Sequence, residues 1–270
     1  EEDKKKPRSA GGMRINSDLE ELDIDSCIKE TSEKLISHLN YKSIETNKYL
    51  ICFTPEAFLQ LISAFSSMFN ARSIIDGLSL MNEESIGDQI AVHNLNISDE
   101  GLHPENVGAF SFDGEGTPTQ NINLITNGVL THLLHSEATA RKFGVEPTGH
   151  AGLGAKVSVS PDWLVVSKSE AVKDKDESLS IKNTRSEYIL IDELSAIHSG
   201  VKASQGSFSL PFDGWIVNDG KKTSIEAATV AGDIQKVLMN IVKIENEQVV
   251  THQGISPHIW VEDMSITGEA

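Results

Sequence analysis

His132, His135 and Glu137 fall within six residues of one another, and two histidines three apart with a nearby carboxylate are the residue types that hold a zinc-activated water. That spacing works on a helix, where residues three apart share a face. The sequence around them reads as a strand, so the two rings point to opposite faces and cannot chelate without a bulge. No histidine is followed directly by Glu, which removes the H-E-x-x-H arrangement. Nucleophilic chemistry has little more support. Cys27 lies in a predicted helix and Cys52 in an apolar run, G-x-S-x-G does not occur, and Gly206-Ser207-Phe208-Ser209 reads as a turn entering a strand. Gly149-His150-Ala151-Gly152-Leu153-Gly154 follows neither phosphate-binding order and reads as a loop whose backbone must approach a neighbour closely. Asp113, Glu115, Asp213 and Asp219 each flank a glycine in turn context, where carboxylates serve conformation.

The elements that would position these residues centre on Phe112 to Gly152. Thr119 to Thr126 alternates polar and apolar residues, Asn127-Gly128 is a two-residue hairpin signal, and Val129 to His135 returns. A two-residue loop sets Ile125 opposite Leu130, Leu124 opposite Thr131, Asn123 opposite His132 and Ile122 opposite Leu133. Ser136 caps a short helix that Gly144 ends, and a Thr148 to Gly152 loop follows.

Elsewhere, Asp25 or Ser26 caps a helix with Ile28, Leu35, Ile36 and Leu39 as its core stripe. Lys48 to Phe53 is a buried strand. Thr54 and Pro55 then open a helix carrying Phe58, Leu61, Ile62, Phe65, Met68 and Phe69. Later strands are expected at Gln89 to Leu95, Val157 to Val159, Tyr188 to Ile191 and Ile259 to Ile266. A second hairpin turns at Asn218-Asp219-Gly220, and an Asp233-capped helix carries Ile234, Val237, Leu238, Ile241 and Val242. Lys168 to Glu187 is charged and poor in large apolar residues, as in an exposed insertion.

With 270 residues the chain can bury one large core or two modest ones. A net charge of -17 argues against a nucleic-acid partner, which calls for a basic patch or stripe. Two cysteines fit a reduced, cytoplasmic protein, and no run approaches the roughly 18 apolar residues of a membrane span. The first residue is Glu rather than Met, and residues 1–12 read as a solvated tail, so the chain is expected to be a fragment.

The words FDGEGTPTQ, ITNGVL, ATARKFG and PTGHAG resemble the TldD/PmbA family, described as modulators of DNA gyrase and as a two-subunit bacterial peptidase. GSFSLPFDGWIVNDGK and ATVAGDIQKVLMNIVKIEN resemble further family stretches in the same order. The resemblance is to the PmbA side, also called TldE. It implies an α+β fold: a mixed, mostly antiparallel, barrel-like β domain with a few packed helices. Residues 1–43 would then be a tail and helix left from a preceding α/β region, and residues 44–270 the carboxyl-terminal β-rich domain. TldD-type subunits carry HExxxH on a helix after a short strand, and a cysteine near the carboxyl end. Here the matching helix, Pro55 to Phe65, has no His, and Thr251-His252-Gln253-Gly254 stands near the cysteine's place.

The resemblance therefore implies a subunit that binds no cofactor itself, with zinc in a TldD-like partner. The two would form a heterodimer or larger assembly enclosing a peptide in a shared cavity, and the chain could pair with itself when alone. Asp113, Glu115, Gly116, His135, Thr148, Gly149 and His150 are the candidate cavity or interface residues, with no catalytic or metal residue expected. Two alternatives stay open: an autonomous peptidase using His135, Glu137 and His150, and a non-enzymatic regulatory binding protein.

Overall fold

The computed structural model describes residues 9–170 and 187–268. Its strands begin with β1 (Tyr41–Lys42), β2 (Asn47–Phe53), β3 (Leu95–Glu100), β4 (Asn121–Thr126), β5 (Val129–Leu130), β6 (Ala151–Gly152), β7 (Ser158–Val159) and β8 (Leu164–Lys168). They continue with β9 (Glu187–Leu194), β10 (Val201–Lys202), β11 (Ser207–Asn218), β12 (Lys221–Ile225), β13 (Ala228–Asp233), β14 (Ile241–Val250) and β15 (Gly254–Gly268). The α-helices are α1 (Ile24–His38), α2 (Pro55–Ala64), α3 (Ala71–Ile75), α4 (Glu137–Phe143), α5 (Ile197–Gly200) and α6 (Ile234–Met239).

Strands β2, β9, β11, β13 and β15 close into a barrel in which only the β2–β9 pairing is parallel. The sheet runs on from β15 through β8, β3, β4 and β5, and from β11 through β12 and β1. This is the expected mixed, mostly antiparallel α+β architecture. Closure requires β15 to change neighbours, pairing β14 over Ile255 to Val261 and β13 over Ser265 to Gly268. A register shift between Val261 and Met264 bends the strand there, with Asp263 at φ 60°.

The core forms where the α2 stripe meets the barrel. Thr54 Oγ1 accepts the Ala57 N–H at 3.3 Å, and Phe58, Leu61, Ile62 and Phe65 are at most 1% exposed. Burying each such side chain contributes about 1.5–3 kcal/mol. Met68 and Phe69 are buried too, on a separate 3₁₀ turn, because the helix ends at Ala64.

Several expectations need correction. Helix α1 forms, but its cap is Asp23, whose carboxylate accepts the Ser26 N–H at 3.0 Å. Most of its stripe faces out: Ile28 is 60% exposed, Ile36 64% and Leu39 52%, while Leu35 is half-buried and Lys34 and His38 turn inward. Polar anchors on the barrel explain the seat. Trp215 Nε1 donates to Ser37 Oγ at 3.2 Å, and His38 stacks on Trp215 and meets Ser224 Oγ at 2.8 Å.

The strand expected at Gln89 to Leu95 lies instead at β3, beginning where that segment ends. Ile241 and Val242 leave the α6 pattern and begin β14, because the barrel strand β15 offers them a ladder. The Asn127-Gly128 turn has φ 52° and 77° and the predicted register at Ile125 and Leu130, but the return strand stops there. Leu134 N–H then donates to Phe69 O at 2.7 Å, so tertiary contact overrides the longer hairpin. Of the expected insertion, residues 171–186 lie outside the described residues, as do residues 1–8 of the expected tail.

Candidate functional site

The short return strand separates the two histidines that opened the chemical question. His132 is exposed, with Nδ1 2.9 Å from Asn123 O. His135 is 4% exposed, packs its ring edge-on against Phe143 at 5.1 Å, and its Nδ1 finds no partner among the described residues. Burial holds its pKa below the ordinary histidine value. Glu137 turns to Arg141 at 3.2 Å, one helical turn on.

The seven candidate residues nevertheless gather around two loops. Asp113 Oδ1 accepts the N–H groups of Glu115 and Thr117, and Oδ2 that of Ala151, all at 2.9 Å. Glu115 accepts the Glu137 N–H at 2.8 Å and so ties the Gly116 turn to the start of α4. Thr148 Oγ1 accepts the His135 N–H at 2.9 Å and lies 3.0 Å from His150 Nδ1. Gly149 makes the close backbone approach expected of the Gly-rich loop: a Cβ there would stand 2.2 Å from Pro118 O.

Behind this loop His150 meets Asp99. His150 Nε2 is 3.3 Å from Asp99 Oδ2, both side chains are fully buried, and the contact lies off the line of a well-aimed hydrogen bond. Asp99 also accepts the backbone N–H groups of Asp162 and Trp163, each at 2.9 Å. Burial works against charge on His150, but Asp99 and then Asp162 outweigh it and raise its pKa. The Asp113, Thr148 and Asp99 side chains are spent on joining loop to sheet, an arrangement suited to rigidity.

An open cleft of about 1170 Å³ lies elsewhere, between the 9–38 segment and the barrel, and none of the seven residues lines it. Glu56, in the first turn of α2, reaches His252, with Oε1 3.6 Å from Nδ1. The first turn of α2 and the Thr251 to Gly254 turn thus meet on its wall. Strand β9 adds Asp192 and Glu193, and β11 adds Asp213. Consecutive strand residues normally face opposite sides. Here Asp213 pairs with Glu193 but Gly214 with Ile191, so Asp192 is the extra residue of a bulge and joins Glu193 on the cleft wall.

Lys34 of α1 reaches into this acidic group, with Nζ 2.6 Å from Asp192 and 3.8 Å from Glu193. Burial disfavours its charge, but Asp192, Glu193 and Glu56 more than offset this and raise its pKa. A structural zinc site needs four donors and a catalytic one three plus an open position. Glu56 and His252 supply two, and among the described residues no group of three His, Cys, Asp or Glu side chains is placed to hold a metal. The donor set does not fit zinc.

Sequence reasoning missed Asp99, Lys34, Asp192 and Glu193. The one available signal was Asp192-Glu193 closing an apolar strand run, two adjacent acids where alternation should bury one.

Comparison with known proteins bears on residues 46–268, which match the model of the PmbA/TldA metallopeptidase C-terminal domain. The metalloprotease PmbA of Escherichia coli O157:H7 is 24% identical over 89% of this chain and 50% of its own length. The metalloprotease PmbA homolog of Buchnera aphidicola subsp. Baizongia pistaciae is 23% identical over 94% of this chain and 54% of its own. The chain thus spans about half the length of these relatives. Among solved structures, a Thermotoga maritima protein described as a candidate modulator of a DNA gyrase superposes with TM-score 0.81 at 30% identity, covering 92% of this chain and 56% of that one. TldE from Thermococcus kodakarensis shares the fold with TM-score 0.76 at 22% identity, covering 92% of this chain and 56% of that one.

Proposed function

Because the chain belongs to the PmbA/TldD metallopeptidase family, we propose that it acts as the TldE-like subunit of a two-chain zinc peptidase for unfolded peptides. A TldD-like partner supplies the metal, and this chain binds none. The observation that carries the reading is that α2 brings Glu56 but no histidine, and that Glu56 with its neighbour His252 belongs to no group of three metal-holding side chains among the described residues. The likeness to TldE in fold, and a local match to a metalloprotease TldD homolog, support pairing of the two subunit types. The candidate residues Asp113, Glu115, Gly116, His135, Thr148, Gly149 and His150 would serve as rigid support for the interface or cavity. Residues 1–43 would belong with the region that precedes this domain in longer relatives. The assembly is taken to be cytoplasmic, in keeping with two unpaired thiols, Cys27 and the buried Cys52; no helix among the described residues is long and apolar enough to cross a membrane.

The test is co-expression with the HExxxH-bearing relative from the same organism. A defined complex is expected on sizing, with zinc bound only when the TldD-like chain is present and peptide hydrolysis raised at least tenfold over either chain alone. Tenfold corresponds to about 1.4 kcal/mol of transition-state stabilisation. Stoichiometric zinc in the isolated chain would instead favour an autonomous peptidase, and failure of the two chains to associate would sink the subunit reading.

A further inference from the structure

We propose that Asp219-Gly220, the tip of the β11–β12 hairpin, is a site of spontaneous covalent modification. It closes to a succinimide and reopens as isoaspartate, while the fold holds the other dipeptides of this kind in the chain unreactive.

The chain contains five Asp-Gly or Asn-Gly dipeptides, beginning at Asp76, Asp113, Asn127, Asp213 and Asp219. All share a reaction that needs no enzyme. The glycine nitrogen attacks Cγ of the preceding side chain, and a C–N bond forms. The nitrogen gives up its proton, which leaves with the carboxyl hydroxyl as water, or with the amide nitrogen as ammonia. Glycine permits this because no side chain crowds the attacking nitrogen. Water then adds to either carbonyl of the ring. Opening at Cγ gives aspartate, and opening at the main-chain carbonyl routes the backbone through Cβ and Cγ as isoaspartate. Starting from aspartate, the water lost is regained.

The attack requires a glycine nitrogen that is not already committed and a side chain free to swing onto it. Four of the five dipeptides are held against it. Gly77 N–H donates to Ile74 O at 3.1 Å, and Arg72 holds Asp76 at 2.7 Å. Gly114 N–H donates to Ala151 O at 2.7 Å, while the Asp113 carboxylate accepts three backbone N–H groups. Gly128 N–H donates to Leu95 O at 2.8 Å, and the Asn127 amide oxygen accepts from Ser169 Oγ. Gly214 is buried in the β11–β9 ladder, where an added Cβ would stand 2.2 Å from Leu190 O.

The fifth differs on each count. Asp219 and Gly220 are both exposed, and among the described residues no hydrogen bond or ion pair reaches the Gly220 N–H or the Asp219 carboxylate. With φ of 49° and 80° they form the two-residue turn, and nothing lies within 4 Å of where a Gly220 Cβ would be. Such a tip opens locally without disturbing the core. Isomerisation lengthens the main chain there and acts on the pairing beside it. Lys221 lies opposite Asn218, and Ser224 further along β12 meets His38 of α1 at 2.8 Å.

The experiment compares each dipeptide with itself. The folded chain and the chain unfolded in urea are aged in heavy-oxygen water, with circular dichroism to show that the folded sample stays folded. Each passage through the ring leaves a heavy oxygen behind, and peptide mapping with electron-transfer fragmentation reads that label and isoaspartate at all five positions. Position 219 is expected to react at nearly its unfolded rate, and the other four about tenfold more slowly or less, because each must first break local contacts.

Asp219→Asn then gives two Asn-Gly turns of the same backbone hand in one molecule. Position 219 should lose ammonia about tenfold faster than Asn127 or more, whereas in the urea-unfolded variant the two rates converge. Asp219→Glu, whose longer side chain closes the ring far less readily, should remove the signal at 219 and leave the other four as they were. Slowing at 219 equal to that at the other four positions overturns the proposal, and so does equal reaction of positions 219 and 127 in folded Asp219→Asn.

Discussion

Asp99→Ala is expected to lower unfolding free energy by about 3–5 kcal/mol, the cost of leaving one member of a buried ion pair uncompensated. Asp99 is 0% exposed and does three things at once: it faces His150 Nε2 at 3.3 Å and accepts the Asp162 and Trp163 N–H groups. Alanine would orphan all three. The pair also sets the sign of a pH effect. His150 has a raised folded-state pKa, so its contribution is fully present below the unfolded value near 6.5 and is lost as pH rises through the raised folded value.

Without Asp99 the largest raising influence on His150 is removed and only Asp162 and the Thr148 contact still oppose burial, so the loss of stability at high pH shrinks. Buried His135, whose pKa burial depresses, has the opposite sign: its contribution is present above the unfolded value and lost as pH falls through the lowered one. Urea denaturation at a series of pH values from 5 to 8 would read both effects. A cost under about 1 kcal/mol, or identical pH profiles for parent and variant, would refute the account of the pair.

Gly149→Ala should destabilise by about 3 kcal/mol or more, far beyond the usual penalty for filling a left-handed position. Gly149 has φ 76°, and an added Cβ would lie 2.2 Å from Pro118 O and 2.8 Å from Thr119 Cα. Those are backbone atoms of the segment leading into β4, so they cannot rotate aside. The loop would have to lift, breaking the Thr148 contacts to His135 and His150 and the hydrogen bond between Asp113 and the Ala151 N–H. Gly116→Ala is the matched control, since Gly116 has φ 84° but meets nothing within 4 Å. It should cost only about 1–2 kcal/mol, the backbone penalty alone. Equal losses in the two variants, measured as thermal unfolding midpoints, would show that close approach contributes nothing.

Local signals proved reliable where local chemistry decides structure. The Thr54-Pro55 helix start, the Asn127-Gly128 turn, the hairpin at Asp219-Gly220 and the Asp233 cap all stand where the residue types put them. Each depends on a few neighbouring backbone groups and the side chains beside them. His132 and His135 do lie apart, one exposed and the other buried, but strand parity is not the reason, since the return strand ends at Leu130.

Signals failed where a distant partner was required. The apolar stripe of α1 reads as core, yet Trp215, Ser224 and Asp192 on three different strands draw its polar face inward. Ile241 and Val242 fit a helical period and join a strand instead, because β15 was there to pair with.

By itself the sequence determined the hairpin turns, the Thr54, Ser136 and Asp233 caps, the strand-rich class, the family motifs and the acidity, all of which depend on neighbouring residue types or on composition. Only the tertiary structure decided that Asp99 pairs with His150, that a bulge turns Asp192 and Glu193 to one wall, and that Glu56, His252 and Lys34 share a cleft. These residues are separated by up to about two hundred positions along the chain, so their meeting depends on barrel closure and register. A one-residue slip in β9 would turn the same carboxylates elsewhere.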